Sequence, residues 1–100
     1  MAFEFQISDE AEKDILQAYI WYENQQSELG KAFLDELEQA KNQILTNPQA
    51  YPVRFKNIVR GYVLNSFPFL LLYILEPNSV NVVAVFHTKR KPEHWKNRLE

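Results

Sequence analysis

The sequence predicts an α+β fold, with an N-terminal strand, a helical hairpin and an antiparallel meander. Two long stretches in the first half repeat their apolar residues at helical spacing. Three stretches in the second half are rich in β-branched and aromatic residues. Charge divides at the same place. Residues 1–50 carry three lysines against ten acids, and residues 51–100 carry eight basic residues against three acids. The halves are therefore −7 and +5, within a net charge of −2. A split of this kind suggests one face that attracts anions and another that does not, or simply helices that collect Glu and Asp on their solvated side.

Taken in chain order, residues 3–7 (Phe-Glu-Phe-Gln-Ile) alternate apolar and polar, the period of a half-buried strand. Ser8 is a hydroxyl N-cap followed by Asp9 and Glu10, acids suited to a first helical turn. Ala11, Ile15, Ala18, Tyr19 and Tyr22 then mark one helical face. Asn24-Gln25-Gln26-Ser27 interrupts it and offers a second cap. Leu29, Phe33, Leu37, Ala40 and Ile44 form the next apolar stripe, opposite Lys31, Asp35, Glu38, Lys41 and Asn42. Asn47-Pro48 ends that helix, because a residue before proline is pushed out of helical geometry. The short link makes the two helices an antiparallel hairpin.

Residues 48–52 read as a loop. Strands are expected at 59–64, 69–75 and 80–86, with Glu76-Pro77-Asn78-Ser79 as a type I turn between the last two. The stretch Phe69-Leu70-Leu71-Leu72-Tyr73-Ile74-Leu75 is apolar on both faces. Helices cover one face of such a sheet; the other requires a partner or the C-terminal segment. In the tail, Pro92 suits the first position of a short helix, with Trp95 and Leu99 on one side of it.

One hundred residues is the size of one domain, and with 46% hydrophobic residues it can bury a core unaided. The chain has no cysteine, which excludes disulfides, thiolate metal ligands and thiol nucleophiles. With two histidines seven residues apart across Pro92, no metal site is expected. Two glycines leave no phosphate-cradling loop, and no cofactor is expected. The N-terminus lacks a basic segment leading into an apolar stretch, and the longest apolar stretch is under half a membrane span. A soluble, cytoplasmic protein without a membrane role is the expectation.

Several of these residues, in order, carry a resemblance. They are Ser8, Ala11-Glu12 and Asp14-Ile15 in the first helix, and Phe33 through Asn47-Pro48 in the second. Val59-Arg60, Phe67-Pro68-Phe69 and Tyr73 follow in the sheet, and Val85-Phe86-His87-Thr88-Lys89-Arg90-Lys91-Pro92 leaves the last strand. Together they resemble the RelE/ParE superfamily, toxins of type II toxin–antitoxin pairs often described as plasmid stabilisation proteins. The resemblance spans the chain and implies an antitoxin whose flexible C-terminal segment wraps and silences the toxin. Two activities occur within the superfamily: metal-independent cleavage of messenger RNA on the ribosome, and poisoning of DNA gyrase by binding.

The resemblance to the ribonucleases has gaps. Where they carry a strand arginine this chain has Leu70, and their second arginine falls at Thr88 or Arg90. Their C-terminal tyrosine falls at His94 or Trp95, and they are strongly basic where this chain is not. The expected function is therefore a ParE-like, gyrase-binding growth-arrest toxin neutralised by its antitoxin. A RelE-like ribonuclease is the alternative, and a non-toxic binding relative the third reading.

For catalysis the candidates are Arg60, His87 and Arg90, cations and an imidazole suited to phosphate and proton transfer. Lys89, Lys91, His94, Lys96 and Arg98 are candidates for contact with the target or a phosphate. Phe69, Leu71, Tyr73 and Trp95 are candidates for contact with the antitoxin. Each has a plainer reading. By alternation His87 falls with Val83 and Val85, as a packed histidine bonded to backbone; Arg60 pairs with an acid; Trp95 anchors a core or interface. The expected assembly is a homodimer or a toxin–antitoxin hetero-oligomer.

Overall fold

The computed structural model describes residues 3–90 and 97–99. Strand β1 (Glu4–Ile7) leads into helices α1 (Asp9–Gln25) and α2 (Leu29–Thr46). Strands β2 (Val53–Phe55), β3 (Val59–Val63), β4 (Phe69–Leu75) and β5 (Ser79–His87) follow, and Asn97–Leu99 form a 3₁₀ turn. The five strands make one sheet in the order β1-β5-β4-β3-β2. The β1–β5 pair is parallel and the other pairs are antiparallel. The return of β1 beside β5 is what the helical crossover between them allows.

Local chemistry sets the helix ends. The Ser8 hydroxyl accepts the Ala11 N–H at 3.1 Å, the expected N-cap. The cap of α2 is different. Glu28 takes a left-handed conformation (φ 71°) and supplies no side-chain bond. The Glu23 carboxylate of α1 instead accepts the N–H groups of Glu28, Gly30 and Lys31 at 3.3, 2.8 and 3.3 Å. The segment 24–27, expected to offer a cap, gives way to a charged acceptor that satisfies three orphan donors at once. That cap needs Gly30, where an added Cβ would lie 2.6 Å from Glu23 Cγ and 2.7 Å from the Tyr19 carbonyl oxygen.

The helices cover one sheet face. Phe33, Ile44, Tyr73, Val80 and Val82 are essentially inaccessible there. Tyr22, Phe33, Phe67 and Phe69 form an aromatic cluster with ring centroids 4.9–6.1 Å apart. The opposite face has its own small cluster, Val59, Leu72 and Ala84, with Leu70, Ile74 and Phe86 half-buried around it. Strand β4 is two-sided, as expected, but much of it is closed by this chain. Phe69, Leu71 and Tyr73 lie under the helices at 8, 3 and 0% exposure. They are buried core residues here, where the sequence reading offered them as antitoxin contacts.

Two elements depart from the sequence reading. Strand β2 lies where no strand was expected, joined to β3 by a tight turn with Lys56 and Asn57 both at positive φ (52° and 62°). That is type I′ geometry without the usual glycine. In β5, register passes from Tyr73↔Val82 to Leu72↔Ala84, so Val83 is an extra, bulged residue. Val85 therefore stays with Val80 and Val82 on the helix side, while Val83 packs with the opposite cluster. Strict alternation from Val83 to His87 fails at this bulge.

Candidate binding groove and cationic turn

The end of β5 and the turn after it build the most chemically varied surface among the described residues. The Thr88 N–H donates to the Pro68 carbonyl at 2.8 Å and the Arg90 N–H to the His87 carbonyl at 2.9 Å. The Lys89 N–H donates to His87 Nδ1 at 3.1 Å. A donor aimed at Nδ1 requires a lone pair there, so in the neutral ring the proton sits on Nε2. The imidazole also meets the Phe69 ring edge-on, with centroids 5.4 Å apart. His87 is thus both packed and backbone-bonded, while Thr88, Lys89 and Arg90 are exposed. Neither Lys89 nor Arg90 has an ion-pair partner among the described residues.

This turn borders an open groove of about 490 Å³ between α1 and β5. Its floor includes Ala18, Tyr22, Phe69 and Val85, and Trp21, Lys89 and Arg90 stand at its rim. Trp21 is 58% exposed. Its side chain lies off the apolar stripe that seats α1, and the sequence reading missed it. An apolar ring outside the stripe was the available signal.

Asp14, also missed, sits at the inner end of the groove. Its carboxylate accepts the Val85 N–H at 3.0 Å. Arg98 grips it with two bonds, Nη1 to Oδ2 at 2.6 Å and Nη2 to Oδ1 at 3.0 Å. Arg98 also donates to the Val83 carbonyl at 3.1 Å and lies 3.4 Å from a Glu10 oxygen. The Asp14 hydrogen bond pushes the Arg98 guanidinium above its usual range, against the opposing effect of burial. Arg98 was a candidate for phosphate contact; here two carboxylates and a carbonyl already use its charge.

Arg60 lies elsewhere. Its Nη1 donates to the carbonyls of Gln49 and Tyr51 at 3.1 and 2.7 Å. It pairs with backbone, where an acid was expected. Tyr73 adds a bond from its hydroxyl to the Pro48 carbonyl at 2.7 Å. The two side chains pin residues 48–51 against the sheet. Arg60 stands level with Tyr73, and Tyr73 with Val82, five residues from His87. One of those five is the bulged Val83, so the offset is the four residues from Tyr73 to Phe69, the partner of His87, or roughly 13 Å along the sheet at about 3.3 Å per residue, with two strand spacings added across it. His87 and Arg90 share a turn; Arg60 does not join them. Lys91, His94, Trp95 and Lys96 lie outside the described residues. Among the described residues no group of three His, Asp or Glu could hold a metal, and no helix is long and apolar enough to cross a membrane.

A helical hairpin thus packs on a mixed five-stranded sheet, with a cationic turn leaving its last strand. The fold is shared with a chromosomal ParDE toxin–antitoxin structure from P. aeruginosa, at a TM-score of 0.73 and 12% identity, over 86% of this chain and 96% of that one. It is also similar to a double arginine-to-alanine mutant of the E. coli toxin RelE in the free state, at 0.74 and 18% over the whole of both chains. The same RelE mutant bound to a peptide of the antitoxin RelB matches at 0.64 and 19%, over 100% of this chain and 97% of that one. No curated protein sequence matches the chain. The family model for the ParE toxin of the type II toxin–antitoxin system parDE matches residues 5–92. The chain belongs to that family: it is a type II toxin–antitoxin toxin.

Proposed function

We propose that this toxin arrests growth by binding a DNA topology enzyme such as gyrase, and that a cognate antitoxin neutralises it. One observation carries the choice of binding over catalysis. Arg60 is committed to the 48–51 loop and stands far from His87 and Arg90, so the three candidate catalytic groups do not converge. Phosphoryl transfer needs cations and a proton-moving group within hydrogen-bond reach of one reacting centre. Leu70, where the ribonucleases resembling this chain carry an arginine, lies opposite Phe86 in the apolar cluster on the face away from the helices. Both observations favour a surface that docks over one that cuts. Two of the similar structures are a ParDE system and RelE with an antitoxin peptide, which supports an antitoxin as the natural partner.

The ribonuclease reading retains one support, the shared turn of His87 and Arg90. Expression of the chain alone is expected to stop growth, and co-expression of the neighbouring reading frame to restore it. Messenger RNA recovered from arrested cells, and RNA incubated with the purified toxin with and without ribosomes, should remain uncut. Cleavage abolished by substituting His87 and Arg90 together with alanine would reverse the choice. Harmless expression of a folded chain would favour a non-toxic relative.

A further inference from the structure

Edge strand β2 breaks regular pairing at one residue. Val53 stands opposite Arg60 and Phe55 opposite Val59, so three residues of β2 meet two of β3 and Arg54 is the extra one. Such a bulge re-aims a side chain, and here it lays Arg54 on the sheet face away from the helices. The arginine crosses Gly61, which stands level with Leu72 of the opposite-face cluster. Arg54 Cδ and Nε take the space that a Cβ of Gly61 would need, with Nε 2.7 Å and Leu70 Cδ1 3.2 Å from that position. Gly61 has no positive φ, so its backbone conformation does not call for glycine; the close approach of Arg54 does. Gly61 is buried, and Arg54 above it is exposed.

Bulge and glycine thus seat one guanidinium, and that guanidinium has no hydrogen-bond or ion-pair partner among the described residues. Residues 51–75, which build β2, β3 and β4, hold Arg54, Lys56 and Arg60 and no Asp or Glu. Arg60 is engaged by loop carbonyls on the helix side, and Lys56 lies 5.7 Å from the Phe55 ring centroid. Beside Arg54 the face is aliphatic. Leu70 is half-buried, and Val63, two residues along from Gly61, is 49% exposed. We propose that Arg54, seated on Gly61, binds an acidic side chain of the target enzyme, whose apolar neighbours pack on Val63 and Leu70. This rests on the reading of the chain as a target-binding toxin. An arginine held in place on apolar surface, with its charge unanswered, has the make-up of an interface hot spot. A nucleic-acid site instead needs a row of cations along successive phosphates, and this face offers two. Gly61 is a positioning residue: a methyl group there displaces the guanidinium and leaves every charge in the chain unchanged.

The test is binding of the chain to purified gyrase in the absence of DNA, with each variant's fold checked by circular dichroism and its denaturant midpoint. Arg54→Ala should bind roughly 10- to 100-fold more weakly. Gly61→Ala should bind at least about 5-fold more weakly at unchanged net charge. Its fold should survive, because the atoms in the way belong mainly to a flexible side chain. Arg54→Lys should recover only part of the loss, since an ammonium lacks the planar fork that grips a carboxylate. Unchanged binding by Arg54→Ala or by Gly61→Ala overturns the inference alone. A loss confined to affinity for DNA or RNA, with gyrase bound as before, would assign Arg54 to phosphate and also overturn it. No binding of gyrase by the unaltered chain would sink the target reading, and this inference with it.

Discussion

Tyr73 shows how one buried hydroxyl sets a pH limit. Its side chain is fully inaccessible and donates to the Pro48 carbonyl. Burial pushes the phenol up to about 12 from 10, an effect the nearby Arg60 only partly offsets. The unfolded chain therefore ionises first. The contribution is complete below pH 10 and disappears as pH rises from 10 through 12; the interval corresponds to roughly 3 kcal/mol. Denaturant titrations across pH 9–12 should show this loss, and Tyr73→Phe should remove most of it at a cost of about 1–2 kcal/mol at neutral pH. Glu23 is the other residue with long reach, because three N–H donors of α2 depend on it. Glu23→Ala should cost about 1–3 kcal/mol in chemical denaturation, and Gly30→Ala a comparable amount by crowding the same carboxylate.

At the scale of elements, the Asp14–Arg98 pair joins α1, β5 and the final 3₁₀ turn. Both side chains are largely shielded, Asp14 at 16% and Arg98 at 18% exposure, so removing one partner leaves the other charge stranded. A double-mutant cycle with Asp14→Ala and Arg98→Ala should give a coupling of about 1–3 kcal/mol. The helices themselves were legible because Ala11, Ile15, Ala18 and Tyr22, and Phe33, Ala40 and Ile44, repeat at one period and bury one face. Strand β2 was not, since three residues after a proline and a Lys56-Asn57 turn carry no usual hairpin signal. Two-sided burial of β4 was readable from its unbroken apolar stretch. Which side Phe69, Leu71 and Tyr73 faced depended on packing under helices that end more than twenty residues earlier. The Val83 bulge was invisible for a related reason: an extra residue is defined by its partner strand, not by its own chemistry.

For the whole molecule, part of the basic half meets the acidic half directly, as Arg98 pairs with Asp14 and Glu10. The basic turn at Lys89 and Arg90 lies across a groove from α1, which carries Trp21 and the Asp14 anchor. Sequence put the cations near the end of β5 in one candidate group, but could not separate Arg98, already paired, from Lys89 and Arg90, which have no ion-pair partner among the described residues. Nor could it show that Arg60 would turn to the loop carbonyls. That placement is what supports the proposed docking toxin over a cutting one, and it depends on tertiary structure alone. The direct measurement is supercoiling of relaxed plasmid by purified gyrase, with the purified toxin in molar excess and its antitoxin as the control. Supercoiling should fall in proportion to toxin and return when antitoxin is added. Unchanged supercoiling alongside cleaved messenger RNA would contradict the account.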